Sequence, residues 1–317
     1  MDGMGCESGG GAERRAVIPQ EIYHVCASNL SVSAEMSLLI ASVLGSAAVF
    51  KLPSAGLPEF EVMAGKVRDS LGLAITLLRD HDVQRMRGAD AVVVYGSDET
   101  IQKFRQELGW KPRFLGYGQK LSVGLLWGGG KAPDQVKRMV RDVVTYEQAG
   151  CLSPQAYLCP DLEQAECWAE ALAGALAEEE LRHPSPARSF EEEGLIFEAR
   201  QRMLLRGNRV WGTGSGQPWT VVLARDGFLE MGPGHRFIQV IPGSDWMKIL
   251  QPWKGKLSTL ALEPMERLEE FTKGAASLGF SRICPLGAMQ FPVLGWCHDG
   301  RPRLADLLTW MTVESGS

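Results

Sequence analysis

The chain alternates short apolar runs with stretches of helical periodicity. Ile22–Ala27 (IYHVCA) reads as a strand, and Ser33–Leu44 sets Met36, Leu39, Ile40, Val43 and Leu44 at helical spacing ahead of Gly45. Ala47–Lys51 is a second strand, Pro58 opens a second helix, and Ala74–Leu78 reads as a further strand. Asp90–Tyr95 (DAVVVY) carries a near-continuous valine run, which a parallel strand covered on both faces requires. Gly96, Ser97 and Asp98 then lead into a helix containing Ile101 and Phe104. This alternation predicts an α/β fold with a parallel, doubly wound sheet.

The glycines at 128–130 mark a boundary. Beyond them Pro133 begins a helix with Val136, Val140, Val143 and Val144 on its apolar face, running into Gly150 and Cys151. A strand (Ala156–Cys159), an Ala/Glu-rich helix (Leu162–Leu181) and a Pro-containing loop (His183–Arg188) follow. Trp219–Ala224 and Phe237–Ile241 are strands around a turn-rich linker. Pro264–Leu278 is helical, Arg282–Cys284 a short strand, and Leu304–Thr312 a closing helix and edge strand. There is no internal repeat.

Composition narrows the class. With 317 residues, 45% hydrophobic and 22% charged, the chain can bury a proper core. Its net charge of −5 is spread out, and no basic block argues for nucleic acid. No apolar stretch reaches the roughly 18–20 residues of a membrane span. The Gly-rich, polar Met1–Arg15 lacks the apolar core of a signal peptide and reads as a disordered tail. Seven irregularly spaced cysteines suit reduced thiols in a cytoplasmic protein. No Cys-x-x-Cys pair or His/Cys cluster suggests a metal site.

Three features bear on chemistry. Cys151 directly follows Gly150 between a helix and a strand, a place from which a thiolate can face a cleft. For a lone cysteine, burial is the commoner explanation. The C-terminal end of a helix also opposes thiolate formation, so activation would have to come from elsewhere. His298-Asp299 could shuttle protons, yet adjacent side chains usually point apart and a Gly-flanked turn accounts for the pair. Gly212–Gly216 (GTGSG) lacks the Lys-Ser/Thr of a phosphate loop and reads as flexible.

Several segments carry a resemblance. Tyr95–Arg105 (YGSDETIQKFR), Tyr146–Gln155 (YEQAGCLSPQ) and Ser281–Trp310 (SRICPLGAMQFPVLGWCHDGRPRLADLLTW) are similar to the Lux-type fatty acyl-CoA reductases, a branch of the aldehyde dehydrogenase superfamily. His24–Val32 and Gly45–Ser54 resemble the entry strands of the same family's nucleotide domain. The resemblance implies an aldehyde dehydrogenase-like α/β fold: a parallel Rossmann-type nucleotide domain plus an α/β catalytic domain. The implied divisions are a tail at 1–15, a cofactor-binding domain at 16–128, a catalytic domain at 129–290 and a C-terminal return and oligomerisation segment at 291–317.

It also implies a reaction. Cys151 falls at the nucleophile position, and Asn29 where a side-chain amide completes an oxyanion hole with the nucleophile's backbone N–H. Lys51, Ser54, Gly96 and Ser97 fall at cofactor-binding positions. The cofactor is NADPH, with no metal, and the substrate an acyl-CoA or acyl-carrier thioester. Leu52–Leu57 contains no carboxylate to repel a 2′-phosphate, the nearest acid being Glu59, which favours NADP. Gly116–Ser122 contains no carboxylate either, where a hydrolytic relative would carry a water-activating Glu. Gln119 stands where family members tend to have His.

Two departures keep alternatives open. Family members carry further residues before the HVCASN-like segment, so a homo-oligomer or a partner chain is expected to cover the shortened N-terminus. The entry motif reads Ala27-Ser28-Asn29 rather than Ala-Gly-Asn. The leading reading is therefore a reductase of fatty acyl thioesters. The reverse reaction, aldehyde oxidation to an acyl thioester, and a non-catalytic binding or assembly relative remain beside it. A regulatory redox thiol stands further off, since no resolving cysteine lies at an obvious spacing.

Overall fold

The computed structural model describes residues 12–28, 30–128, 132–214 and 216–314. The chain divides into two units. One runs to Gln119 and is rejoined by the segment from Arg301; the other is Lys120–Gly300.

The first unit contains β1 (Ala12–Val17), β2 (Glu21–Val25), α1 (Val32–Leu44), β3 (Ala47–Lys51), α2 (Pro58–Leu71) and β4 (Ile75–Leu78). It continues through α3 (Val83–Gly88), β5 (Ala91–Tyr95), α4 (Asp98–Glu107) and β6 (Arg113–Tyr117). Its sheet runs β4-β3-β2-β5-β6, every pair parallel. Strand side chains alternate between faces. Phe50 thus packs with Leu38 of α1 and Phe60 of α2, while Tyr23, Val49, Val92 and Val94 pack with Met86 of α3 and Phe104 of α4. All five residues of β5 are buried, as its valine run requires. Gly45 and Gly72, at φ 69° and 65°, end α1 and α2 in the left-handed conformation that turns the chain back to the sheet.

The second unit holds β7 (Leu121–Leu126), α5 (Pro133–Val144), β8 (Pro154–Cys159), α6 (Leu162–Arg182), α7 (Phe190–Leu205) and β9 (Arg209–Trp211). β10 (Thr220–Leu223), β11 (Phe237–Pro242), α8 (Trp246–Leu250), β12 (Leu257–Glu263), α9 (Leu268–Leu278) and β13 (Arg282–Pro285) complete it. Its sheet order is β13-β12-β7-β8-β11-β10-β9, parallel except for the edge strand β9. The chain then returns to the first unit as β14 (Thr309–Glu314), antiparallel to β1.

Four expectations change. Residues 12–15, read as tail, begin β1, because β14 supplies backbone partners that local composition cannot reveal. The units part at 119/120 and 300/301 rather than at 128/129 and 290/291. β7, assigned to the first domain, lies between β12 and β8 and is a central strand of the second sheet. The closing helix is a single 3₁₀ turn at Ala305–Leu307.

Candidate active site

Cys151 sits in the turn that leads into β8, a central strand of the second unit's sheet. Helix α5 ends at Val144, and a short turn then takes Tyr146, Glu147 and Gln148 through left-handed φ of 59°, 50° and 59°. The helix therefore does not run into the cysteine, and the expected opposition of its C-terminal dipole does not apply as stated. Ser122 of β7 donates its hydroxyl to the Cys151 carbonyl at 2.7 Å and accepts the Thr259 amide at 3.1 Å. The pairing of β7 with β8 shifts register at this point, between Ser122 and Val123, so an irregularity in the sheet carries the main chain of the thiol.

The half-buried Cys151 Sγ lies 3.8 Å from Nε2 of His298. Asp299 Oδ1 lies 3.9 Å from the same nitrogen. Adjacent residues reach one point because Asp299 is left-handed, at φ 53°, and the tight turn from Cys297 to Gly300 folds its side chain back. The Trp296 ring lies against the imidazole, centroids 4.9 Å apart. The side chains of His298 and Asp299 are 11% and 9% exposed, so the carboxylate acts on the imidazole through little solvent. A thiol, an imidazole and a carboxylate in this arrangement can pass a proton from sulfur. The sequence reading set this pair aside; the left-handed turn that joins them is what a pattern of residue types does not display.

A second network fixes the loop after the thiol. Asp142 of α5 accepts the Gly287 amide at 2.6 Å and the Met289 amide at 2.9 Å. Gln290 follows directly and donates to Ser153 Oγ at 2.6 Å, while the Ser153 amide closes a turn on Gly150 O. Burial pushes the Asp142 carboxyl up to about 6, against the two amides that favour its charged form.

In the first unit the expected cofactor residues lie at the C-terminal ends of the strands, where open parallel sheets bind nucleotides. Lys51 ends β3 and is in register with Leu78, so Arg79 follows at the neighbouring strand end. Ser54 is exposed in the loop beyond Lys51. Arg79 leans over the same loop: a Cβ on Gly56 would meet its Nη1, and its Nη2 donates to both Glu61 oxygens at 2.8 Å. Glu61, which accepts the Leu57 amide of this loop at 3.0 Å, is thereby paired with a cation. Arg79 was not anticipated; its contribution depends on which strand neighbours β3. Gly96 directly follows β5 with no room for a side chain, since a Cβ would lie 2.9 Å from Thr100 Cγ2. Ser97 caps α4, accepting the Thr100 amide at 3.2 Å. These features fit a dinucleotide phosphate approaching backbone at a helix start. Asn29, the expected oxyanion donor, lies outside the described residues.

Among the described residues no group of three His, Cys, Asp or Glu is placed to hold a metal ion. No described helix is long and apolar enough to cross a membrane.

The sequence model of the acyl-CoA reductase (LuxC) family matches residues 14–310. Long-chain acyl-protein thioester reductase 2 of Photobacterium leiognathi is 24% identical over 241 residues, covering 74% of this chain and 49% of that protein. The match thus spans about half the length of the curated relative. Aldehyde dehydrogenase 21 of Physcomitrella patens, solved with succinate, superposes with a TM-score of 0.74 at 14% identity, covering 96% of this chain and 70% of that one. The Delta-pyrroline-5-carboxylate dehydrogenase of Mycobacterium tuberculosis, solved with NAD, gives 0.71 at 14%, covering 98% and 67%. The fold is that of the aldehyde dehydrogenases.

Proposed function

The chain belongs to the acyl-CoA reductase (LuxC) family, and we propose that it reduces long-chain acyl thioesters to aldehydes with NADPH, through an acyl-enzyme on Cys151. The observation that carries this reading is the 3.8 Å approach of Cys151 Sγ to His298 Nε2.

His298 takes the proton from Sγ, and the Asp299 carboxylate stabilises the imidazolium that results. The thiolate attacks the thioester carbonyl carbon, forming a new C–S bond. Collapse of the tetrahedral stage breaks the bond to the carrier thiol, which leaves with the proton from His298. Asn29 and the Cys151 amide are the proposed donors to the oxyanion at that stage. NADPH, when bound, supplies the hydride that converts the enzyme thioester to a hemithioacetal. Breaking its C–S bond frees the aldehyde, and the sulfur regains a proton through His298.

Lys51, Ser54, Gly96 and Ser97 are the proposed cofactor residues, and Arg79 joins them. Its guanidinium beside a loop with no carboxylate from Leu52 to Leu57 supports a 2′-phosphate there. A bare thiol carrier and a carrier protein are both accommodated by this scheme, and the name of the Photobacterium relative favours a protein-borne acyl group. A homo-oligomer assembled through β1 and β14 is proposed on their exposure: Trp310, Met311 and Val17 are each about half exposed. The cytoplasm suits cysteines that form no disulfide among the described residues, Cys26, Cys151, Cys159, Cys167, Cys284 and Cys297.

Intact-mass spectrometry after incubation with a long-chain acyl-CoA, without NADPH, tests the reading. The wild type gains one acyl group and Cys151→Ala does not; NADPH then discharges the adduct as aldehyde. A folded wild type that gains no adduct at any chain length overturns it.

A further inference from the structure

The turn before Cys151 is strained, and a buried ion pair holds it. Three successive ordinary side chains, Tyr146, Glu147 and Gln148, occupy the left-handed region that normally selects glycine. Such a run persists only where the surroundings over-determine it. Across from it, His235 and Arg236 are left-handed as well, at φ 55° and 60°. The two strained segments clasp each other. The His235 amide donates to Glu147 O at 2.9 Å, and Gln148 Nε2 donates to Pro154 O at 2.8 Å and Phe237 O at 3.1 Å.

Arg236 closes the clasp. Its side chain is 3% exposed, and both Nε and Nη2 donate to the Glu147 carboxylate, a forked pair that fixes direction as well as distance. Nη1 turns the other way, to Glu180 of α6 at 2.8 Å. The far side of the loop is anchored separately, at the Cys151 carbonyl by Ser122 and at Ser153 by Gln290. A thiol pinned on one side only would swing toward or away from His298. The Glu147–Arg236 fork supplies the anchor on the other side.

We infer that Arg236 is a positioning residue: by gripping Glu147 it holds the left-handed turn that carries the Cys151 thiol to His298. A turn serving only to join α5 to β8 would be met by glycines, without a buried cation between two carboxylates. This inference rests on the reading of Cys151 as the nucleophile, but its test does not need acyl transfer.

The test is the rate of Cys151 alkylation by iodoacetamide across pH, with the modified peptide identified by mass, in the wild type, Arg236→Lys, Glu147→Gln and Glu180→Gln. Lysine keeps the charge and loses the fork. Alkylation at neutral pH is expected to slow about tenfold or more in Arg236→Lys and Glu147→Gln, with the profile moved to higher pH. If the wild type reduces acyl thioesters, kcat falls with little change in KM, by up to about 10²-fold for a misplacement near 1 Å. Glu180→Gln, which removes only the outer partner, is expected to lower the melting temperature and leave the alkylation profile in place. Folded Arg236→Lys or Glu147→Gln with wild-type alkylation overturns the inference. So does Glu180→Gln with as large a loss of reactivity as Arg236→Lys, since the pair would then be merely structural. Should Arg236→Lys not fold, Glu147→Gln alone decides. A wild type that alkylates normally at Cys151 but takes no acyl group defeats the proposed function and leaves this test standing.

Discussion

His298 Nε2 reaches Cys151 Sγ at 3.8 Å across 147 residues of sequence. The contact joins the loop before β8 to the turn that follows β13, so the pair exists only once the seven-stranded sheet has formed. Its chemistry is testable apart from substrate. Replacing His298 with Gln keeps a polar group of similar reach and removes the base. The expected result is a loss of about 10²–10⁴ in the rate of acyl transfer to Cys151, measured by stopped-flow release of the carrier thiol. A variant within a few-fold of wild type would exclude His298 as the base.

The proposed preference for NADPH is tested at a short loop. Ser54→Asp places a carboxylate in the Leu52–Leu57 segment, where none stands now. It would repel a 2′-phosphate and accept from a ribose 2′-hydroxyl. The ratio of kcat/KM with NADPH to that with NADH should fall about tenfold or more, and Arg79→Leu should lower it in the same sense. Equal ratios in all three proteins would place the selectivity elsewhere. Loss of activity with both cofactors would instead point to folding, which the melting temperature reads separately.

What the sequence disclosed follows from the range of the forces involved. The valines of β5 announce a strand covered on both faces, and the helical spacing of α5 follows from one buried stripe; α1 instead buries Ala34, Ser37, Leu38 and Ala41 and leaves Leu39 and Val43 of its expected stripe exposed. Family-like segments led to Cys151, Lys51 and Gly96 by position. Local pattern misplaced β7, because the glycines at 128–130 are the loudest signal nearby while the strand's partners, β8 and β12, lie far along the chain. It also passed over β12, although Leu257–Leu262 is fully buried, since such a run carries no period of two. His298 and Asp299 were discounted on the rule that neighbours diverge, and a φ of 53° at Asp299 reverses that rule. Arg79 and Arg236 take their meaning from partners on other elements, Glu61 and Glu147, which no window along the chain contains.

Asp142 links helix packing to the loop beside the thiol. Its two oxygens each accept one amide, from Gly287 and Met289. Asn in its place offers one acceptor and sets an NH₂ group against the other amide. At pH 8 Asp142→Asn should lose about 1–3 kcal/mol of stability, read by urea denaturation, and kcat should fall as Gln290 loses its hold on Ser153. In the wild type this carboxyl is raised from 3.8 to about 6 by burial, so the folded state favours its protonated form. Its contribution is whole below pH 3.8 and is lost as pH rises through about 6. Moving the assay to pH 5 therefore protonates the wild-type carboxyl and restores much of that contribution, whereas Asn does not titrate. The gap between the two proteins should widen there.

His24 gives the first unit an opposite response to acid. Its ring stacks on Phe50, centroids 4.6 Å apart and 11° from parallel, and is 1% exposed. Neither ring nitrogen has a hydrogen-bond partner among the described residues. Burial lowers its pKa from 6.5 to about 3 because the charged ring would lose its hydration without compensation. The unfolded chain takes up a proton near pH 6.5 and the folded one does not, so between these values unfolding is linked to proton uptake. Stability present above pH 6.5 is lost progressively as pH falls toward about 3. His24→Phe preserves the stack on Phe50 and removes the titration. Denaturation midpoints followed by a probe in this unit should then decline less between pH 6.5 and 4 than in the wild type, whatever constant offset the larger ring introduces. Parallel declines in the two proteins would mean that the buried imidazole is not what makes the first unit sensitive to acid.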